Sequence, residues 1–420
     1  VIPAARRVAL HIVAAAVVVA AGILLLNRPL APTVPSADVH QFFDAEYLAR
    51  ARTYRAPRDL VRLALLVLAV AVPAWWALTL TGRRATARII DWVGPTHPLR
   101  AAALVGLVVV VSIDVLSAPL VWLIGFVQDG NYGFRTQGAA GWWRDWLVVR
   151  APGWIGVVLV IPVALWVIRK VPRAWPPLLG LAAGGLAALL TVAAPLILEP
   201  LWLRTTPLPS GEVTQEVLRV ARAAGEDIDQ VEVGDASRRT TKANAYVSGL
   251  GGTRRIVLFD TLLEQFSARE IGVVVAHELG HDRHDDIARN VANAAAGAVL
   301  SAYALAWFLK RRGFTAAPRE TIHASAIPLV SLGLAVLMVV TLPLSAVISR
   351  RAEAAADWAA LQVTNDPEGF AAMQVALAHS NLGDPDPPEW VRVLWYTHPT
   401  VVERLGLAQS RADMDLGQER

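Results

Sequence analysis

The sequence predicts a mainly α-helical, multi-pass membrane protein with about seven transmembrane helices and a small α+β domain. Three observations carry this. Of 420 residues, 55% are hydrophobic and only 18% charged, against about a quarter charged in an average soluble protein. The apolar residues gather in runs long enough to cross a bilayer, about 20 helical residues each. The polar residues gather in two blocks, 199–286 and 349–420, the segments able to fold outside the membrane.

The predicted spans fall at about 8–26, 63–81, 101–127, 153–168, 178–198, 287–309 and 322–348. The first follows Arg6 and Arg7; its apolar run is longer than a signal-peptide core, so it reads as a span. The fourth is short and contains Pro162. Asn27 to Asp59 reads as a loop ending in the charged helical pattern FFDAEYLARARTYR, and 128–152 reads as a second loop. The organisation expected is a membrane region over 1–198 and the first part of an extramembrane domain over 199–286. Two more spans follow over 287–348, then the domain's second part and a polar tail over 349–420. Asp114 sits mid-way along the third span. A carboxylate there is costly, so it must face water or a protein partner such as an Arg at a span boundary.

Within 199–286, residues 211–224 read as an amphipathic helix and 230–233, 243–248 and 255–259 as short strands. The turn Gly249-Leu250-Gly251-Gly252 joins the last two strands. Ser267 and Glu270 form a capping box that opens the helix IGVVVAHELGHD.

There are no cysteines, which excludes disulfides and every thiolate site, so a bound metal must use His, Asp or Glu. The formal charge of +4 is too small to indicate nucleic acid. The Arg clusters behind it flank apolar runs, where they anchor helices in the bilayer.

His277-Glu278-Leu279-Gly280-His281 is an HExxH motif on a helix. Spacing of four puts both imidazoles on one face, able to converge on one ion, and Glu278 is placed as a general base. A zinc hydrolase needs a third protein ligand and an open fourth position. The extended pattern HExxHxxGxxH fails, because position 287 is Ile. His284 lies on the right face but about 10.5 Å along the helix from His277. A downstream carboxylate is the remaining route. In Ser349-Arg350-Arg351-Ala352-Glu353-Ala354-Ala355-Ala356-Asp357, Glu353 can ligate while Asp357, one turn on, orients a ligating His. By spacing alone, an acidic stripe on a solvated helix fits equally well.

HELGH, then SRRAEAAAD after two spans, then Tyr396-Thr397-His398-Pro399-Thr400 with Glu403-Arg404-Leu405, together resemble the zinc-dependent CAAX prenyl protease family. These are integral-membrane gluzincin endopeptidases related to the HtpX-like proteases. The stretches RRTTKANAY (238–246) and GLGGTRRIVLFDTLL, the segment 195–209, and more weakly AEYLARARTYR and Tyr132-Gly133-Phe134, are also similar. The resemblance covers nearly the whole chain and is dense from Pro195 to Leu407. It implies one zinc ion held by His277, His281 and Glu353, with Glu278 as base. It also implies a ring of seven membrane helices around a chamber, closed at one end by the protease domain. Asn244, Ala245 and Tyr246 are implied to bind substrate as an edge strand that an extended peptide joins. His398 and Arg404 are implied to donate hydrogen bonds to the reacting carbonyl. The chain departs from the family pattern in two places: Ala354 replaces a common aromatic, and Asp285 and Asp286 stand where a longer basic or His-containing stretch often continues. Neither departure is expected to touch the ligands.

The function expected is therefore a membrane-embedded zinc endopeptidase acting on a peptide or membrane-protein substrate within the lipid bilayer. The composition suggests a bacterial plasma membrane. An HtpX-like quality-control protease is the alternative within the class. A transporter or receptor with a structural zinc is the alternative outside it, and Glu278 argues against that, since a structural site needs no base. Arg and Lys are densest in short loops on the N-terminal side, favouring an extracytoplasmic active site. Eukaryotic relatives are drawn with theirs facing the cytosol, so the side stays open.

Overall fold

The computed structural model describes residues 3–27, 31–197, 199–226, 230–248, 255–313 and 323–418. The expected turn at Gly249–Gly252 lies outside them.

Among the described residues, six helices are long and apolar enough to cross a membrane. They lie within α1 (Ala4–Leu26), α2 (Ala45–Leu78), α4 (Pro98–Trp122), α6 (Ala139–Lys170), α11 (Asp286–Arg311) and α12 (Ile327–Thr364). The fifth predicted span corresponds to α7 (Trp175–Ile197), of which a shorter apolar stretch, Trp175–Thr191, is described in full. In hydrocarbon every backbone N–H and C=O must be paired internally, so helix is the only open-chain solution. Prolines inside these helices, such as Pro73, Pro119, Pro162 and Pro343, each free one carbonyl, which spans tolerate where neighbouring groups pair it again.

The helices run further than apolar periodicity indicates. The charged pattern at 45–55 is the first third of α2, capped where Asp44 accepts from the Tyr47 N–H (2.7 Å). The predicted loop at 128–152 is largely helical, because Ala139 to Pro152 extends α6. The SRRAEAAAD segment is the continuation of the last span, one 38-residue helix. Nothing between Ile348 and Glu353 breaks a helix, and the run is rich in strong helix formers. A short helix, α3 (Leu80–Val93), turns back from α2, and a π-helical stretch (Leu123–Gln128) ends α4 before the single turn α5 (Asp129–Asn131).

Asp114 faces protein. It is buried, accepts from Trp154 Nε1 (2.7 Å) and lies 3.4 Å from Arg150 Nη1 at the start of the next span. The tryptophans near it form a cluster with Trp122 stacked on Phe126 and Trp143.

The extramembrane part is a four-stranded sheet with helices on it. Its strands are β1 (Thr205–Pro207), β2 (Val231–Gly234), β3 (Ala245–Ser248) and β4 (Arg255–Phe259), in the order β1-β2-β4-β3. β1 was not expected; it is three residues ending in Pro207, a fit for an edge position. β3 is the other edge, antiparallel to β4. Helices α8 (Glu212–Ala224), α9 (Asp260–Gln265) and α10 (Ala268–Arg283) pack a core of Val217, Ile256, Leu258, Leu262, Ile271 and Leu279. The C-terminal helices α13 (Pro367–Asn381), α14 (Glu389–Trp395) and α15 (Val401–Gln418) close it.

Candidate metal centre

Helix α10 starts at the expected capping box, with Ser267 Oγ accepting from the Glu270 N–H and Glu270 Oε2 accepting from the Ser267 N–H (2.8 Å). The box sets where the helix begins and hence which face carries His277 and His281. Small residues bring the third group within reach. A Cβ on Gly280 would lie 2.9 Å from the Ala356 backbone and 3.2 Å from Ala359 Cβ. Only glycine at that crossing, against buried Ala355, Ala356 and Ala359, lets α10 and α12 approach so closely. The consequence is a cluster of His277, His281 and Glu353 whose ligand atoms all lie within 4.8 Å of one another. Glu353 Oε2 is 3.2 Å from His277 Nε2, and Oε1 is 3.6 Å from His281 Nε2. His284 stands at the C-cap of α10, outside the cluster.

Each imidazole is oriented from behind by a buried carboxylate. Asp357 Oδ1 lies 2.9 Å from His277 Nδ1, and Asp286 Oδ2 lies 2.8 Å from His281 Nδ1. The structure brings together the first pair, which the sequence had suggested. It also brings together the second, although Asp286 was expected to stand clear of the ligands. Asp285 adopts a left-handed conformation (φ 54°) between α10 and α11, a turn Asp tolerates better than most residues. That turn folds Asp286 back onto His281.

With both Nδ1 atoms facing carboxylates, both Nε2 atoms face Glu353. Around two imidazoles stand Glu278, Asp286, Glu353 and Asp357, against the single guanidinium of Arg404. Burial pulls the His277 imidazole down, but Asp357 and Glu353 more than offset this and raise it to about 10. The site therefore draws in positive charge, and its nitrogen and oxygen donors suit a divalent ion of the zinc type. Glu353 Oε2 is buried, and the imidazole nitrogens of His277 and His398 at 3.2 and 3.1 Å do not reach it in hydrogen-bond geometry, so it is an atom a cation would satisfy. The residues fit the group.

Glu278 faces the sheet. Its Oε2 accepts from the Val247 N–H (3.3 Å) on edge strand β3. Burial pushes its carboxyl up, against the pull of His277 and His281. On β3 the carbonyl of Asn244 accepts from the Phe259 N–H (3.0 Å). Alternation along an antiparallel strand then turns the N–H groups of Ala245 and Val247 away from β4, toward the metal side. Asn244 is exposed and the Ala245 side chain buried. Tyr246 lies edge-on to Phe259.

His398 and Arg404 differ from each other. His398 is half-exposed, with Nε2 3.1 Å from Glu353 Oε2, so it borders the open side. Arg404 is buried, and its guanidinium is committed: Nε and Nη2 each donate to Asp357 (2.8 Å) and Nη1 donates to Gln374 (3.2 Å). It approaches Glu353 only to 3.9 Å. The donors expected to face substrate are directed at Asp357 and Gln374.

A cavity of about 570 Å³ leads from His281 and Glu353 down between α11 and α12, past Asn290, Asn293, Ser301, Thr341 and Ser345. Polar side chains at such depth mark a wet path, in keeping with a chamber open to the metal centre.

Comparison with known proteins bears on this arrangement. The family model described as Peptidase family M48 matches residues 207–412. The chain is 28% identical over 386 residues to "Uncharacterized metalloprotease YhfN" of Bacillus subtilis, covering 89% of this chain and 88% of that protein. It is 28% identical over 299 residues to "CAAX prenyl protease 1 homolog" of Oryza sativa subsp. japonica, covering 67% and 66% of the two. The crystal structure of S. mikatae Ste24p superposes with a TM-score of 0.73 at 21% identity, covering 97% of this chain and 99% of that one. At that identity the match establishes the fold.

Proposed function

We propose that the chain is a member of peptidase family M48, whose model matches residues 207–412, and that a membrane-embedded metalloendopeptidase activity resides at His277, His281, Glu353 and Glu278, with one zinc ion per chain. The observation that carries this is the convergence of three donor atoms within 4.8 Å beside a carboxylate poised at the rim of an edge strand. Bound there, zinc supplies Lewis acidity toward a peptide carbonyl and lowers the pKa of water.

The chain's own residues do the rest. An extended substrate pairs with the outward N–H and C=O groups of β3 around Asn244, Ala245 and Tyr246, which holds its backbone beside the cluster. Glu278 takes a proton from the attacking water and returns it to the leaving amine. Its raised pKa suits a group that must both accept and release. His398, on the open side, donates to the carbonyl oxygen as negative charge develops there. Asp357 and Asp286 fix the tautomer and plane of His277 and His281, and Arg404 holds Asp357.

The substrate is a polypeptide reaching the site from the membrane or its surface. The rice relative's printed name suggests CAAX-type processing; the apolar helices and the similarity to a Bacillus protein support a place in a bacterial membrane. The test is cleavage of a quenched peptide library by the purified chain with zinc added, beside Glu278→Gln and Glu353→Gln. Zinc-dependent cleavage lost in both variants is expected. Cleavage persisting in a metal-free preparation would contradict the reading.

A further inference from the structure

A separate cavity of about 270 Å³ opens beside His398, between α2, α13 and the segments flanking α14. Donors without partners line it. Gln374 is 2% exposed; its Oε1 accepts from Arg404, while its Nε2 is buried with no hydrogen-bond partner. Trp395 Nε1 is buried without a partner as well. Arg55 uses Nε and Nη2 on the carbonyls of Leu382 and Asn381 (2.9 and 3.0 Å), which leaves Nη1 uncommitted among the described residues. Arg62 has a side chain 42% exposed and, among the described residues, pairs only with Asp59, one turn back on its own helix, at 3.1 Å.

The acceptors in the wall are fewer. Asn381 Oδ1 is one. The carboxylate of Asp384 already accepts from the Asp386 N–H (3.2 Å), and burial holds its carboxyl above the ordinary range. A buried N–H that folding leaves unpaired is unfavourable unless a ligand completes it. Two guanidiniums with two neutral N–H donors match an anionic oxygen pair, and guanidinium forms its strongest hydrogen bonds with carboxylate. His398 lines the cavity, and its Nε2 lies 3.1 Å from Glu353, so the cavity adjoins the metal centre.

We propose that this cavity is a subsite for a carboxylate of the bound polypeptide, seated by Arg55, Arg62 and the N–H groups of Gln374 and Trp395. It rests on the proteolytic reading above for its position next to the bond that is cut. The carboxylate is either the α-carboxylate of a nearby chain end or an acidic side chain a few residues from that bond.

The experiment reads binding without turnover. Four peptides of one sequence are titrated by fluorescence anisotropy into the zinc-replete Glu278→Gln chain in detergent. One pair has a free or amidated C-terminus; the other, with amidated ends, has Glu or Gln at an internal position. One carboxylate-bearing member should bind about tenfold tighter than its neutral partner, and which pair shows it identifies the source. Adding Arg62→Gln or Trp395→Phe, with zinc content unchanged, should bring that ratio below twofold. Equal affinities within both pairs, no binding by any of the four, or a ratio that survives both substitutions would overturn the subsite. A parent chain that binds the peptides but cuts none would count against the proteolytic reading while these affinities still decide the subsite.

Discussion

Asp357→Asn separates orientation of a ligand from neutralisation of a buried cation. Asp357 is fully buried, takes two 2.8 Å hydrogen bonds from Arg404 and stands 2.9 Å from His277 Nδ1. The amide keeps the shape and loses the charge. For His277 this removes the strong acceptor that fixes its tautomer, a loss usually seen as 10–100-fold weaker metal binding, about 1.4–2.8 kcal/mol. For Arg404 it strands a guanidinium with Gln374 at 3.2 Å and Glu353 at 3.9 Å. Breaking one side of a buried pair costs about 3–5 kcal/mol, so the larger effect falls on stability. Arg404→Gln disturbs the same pair without touching His277. The assay is zinc titration in chelator buffers, with thermal unfolding in detergent followed by fluorescence of the fifteen tryptophans. Both variants should unfold at lower temperature, but Asp357→Asn should lose at least threefold more zinc affinity than Arg404→Gln. Zinc affinity within threefold of wild type in Asp357→Asn would refute the orienting role.

Asp286→Ala should weaken zinc binding about tenfold through His281, read by the same titration, whereas Asp285→Gly should leave it within twofold because it keeps the turn. Ala245→Pro removes an N–H that faces away from β4, so the chain should fold and hold zinc while cleaving peptides at least tenfold more slowly, and Ala245→Ser should be nearly silent. Equal cleavage by the two would exclude substrate pairing at β3. Asp366 caps α13, accepting from the Gly369 N–H (2.8 Å) and from Arg269 (2.6 Å), and Arg269 holds its carboxyl below the ordinary value. Its folded-state pKa is depressed, so its contribution is complete above the ordinary Asp range and lost as pH falls through the lowered value. Asp366→Ala should cost about 1 kcal/mol at neutral pH, and the difference from wild type should shrink in acid unfolding scans.

The residues of the cluster were more legible in the sequence than the helix boundaries. HExxH carries its own geometry, since four residues make one helical turn. The capping box at Ser267 and Glu270 fixed the helix that displays it. Glu353 is 72 residues beyond His281; residue spacing alone left an acidic surface stripe equally plausible, and the family resemblance decided between them. Gly280 against Ala356 is the packing reason the two helices meet. Asp286 was missed because its contact depends on the left-handed turn at Asp285, a conformation that sequence periodicity does not report. Span boundaries were short for a related reason: apolar runs mark where lipid begins, not where helix ends. Thus α2 begins at Ala45 and α12 continues through Glu353 and Asp357. Arg404 was placed at the reacting carbonyl by resemblance; its buried contacts to Asp357 and Gln374 carry no sequence signal of their own.

The most direct test is single-turnover cleavage by purified Glu278→Gln in proteoliposomes, with metal analysis on the same sample. The account predicts one zinc per chain, unfolding behaviour like wild type, and a rate lower by about 10²–10⁴-fold. A rate within a few-fold of wild type at full zinc occupancy would contradict Glu278 as the base, and with it the site at which hydrolysis is placed.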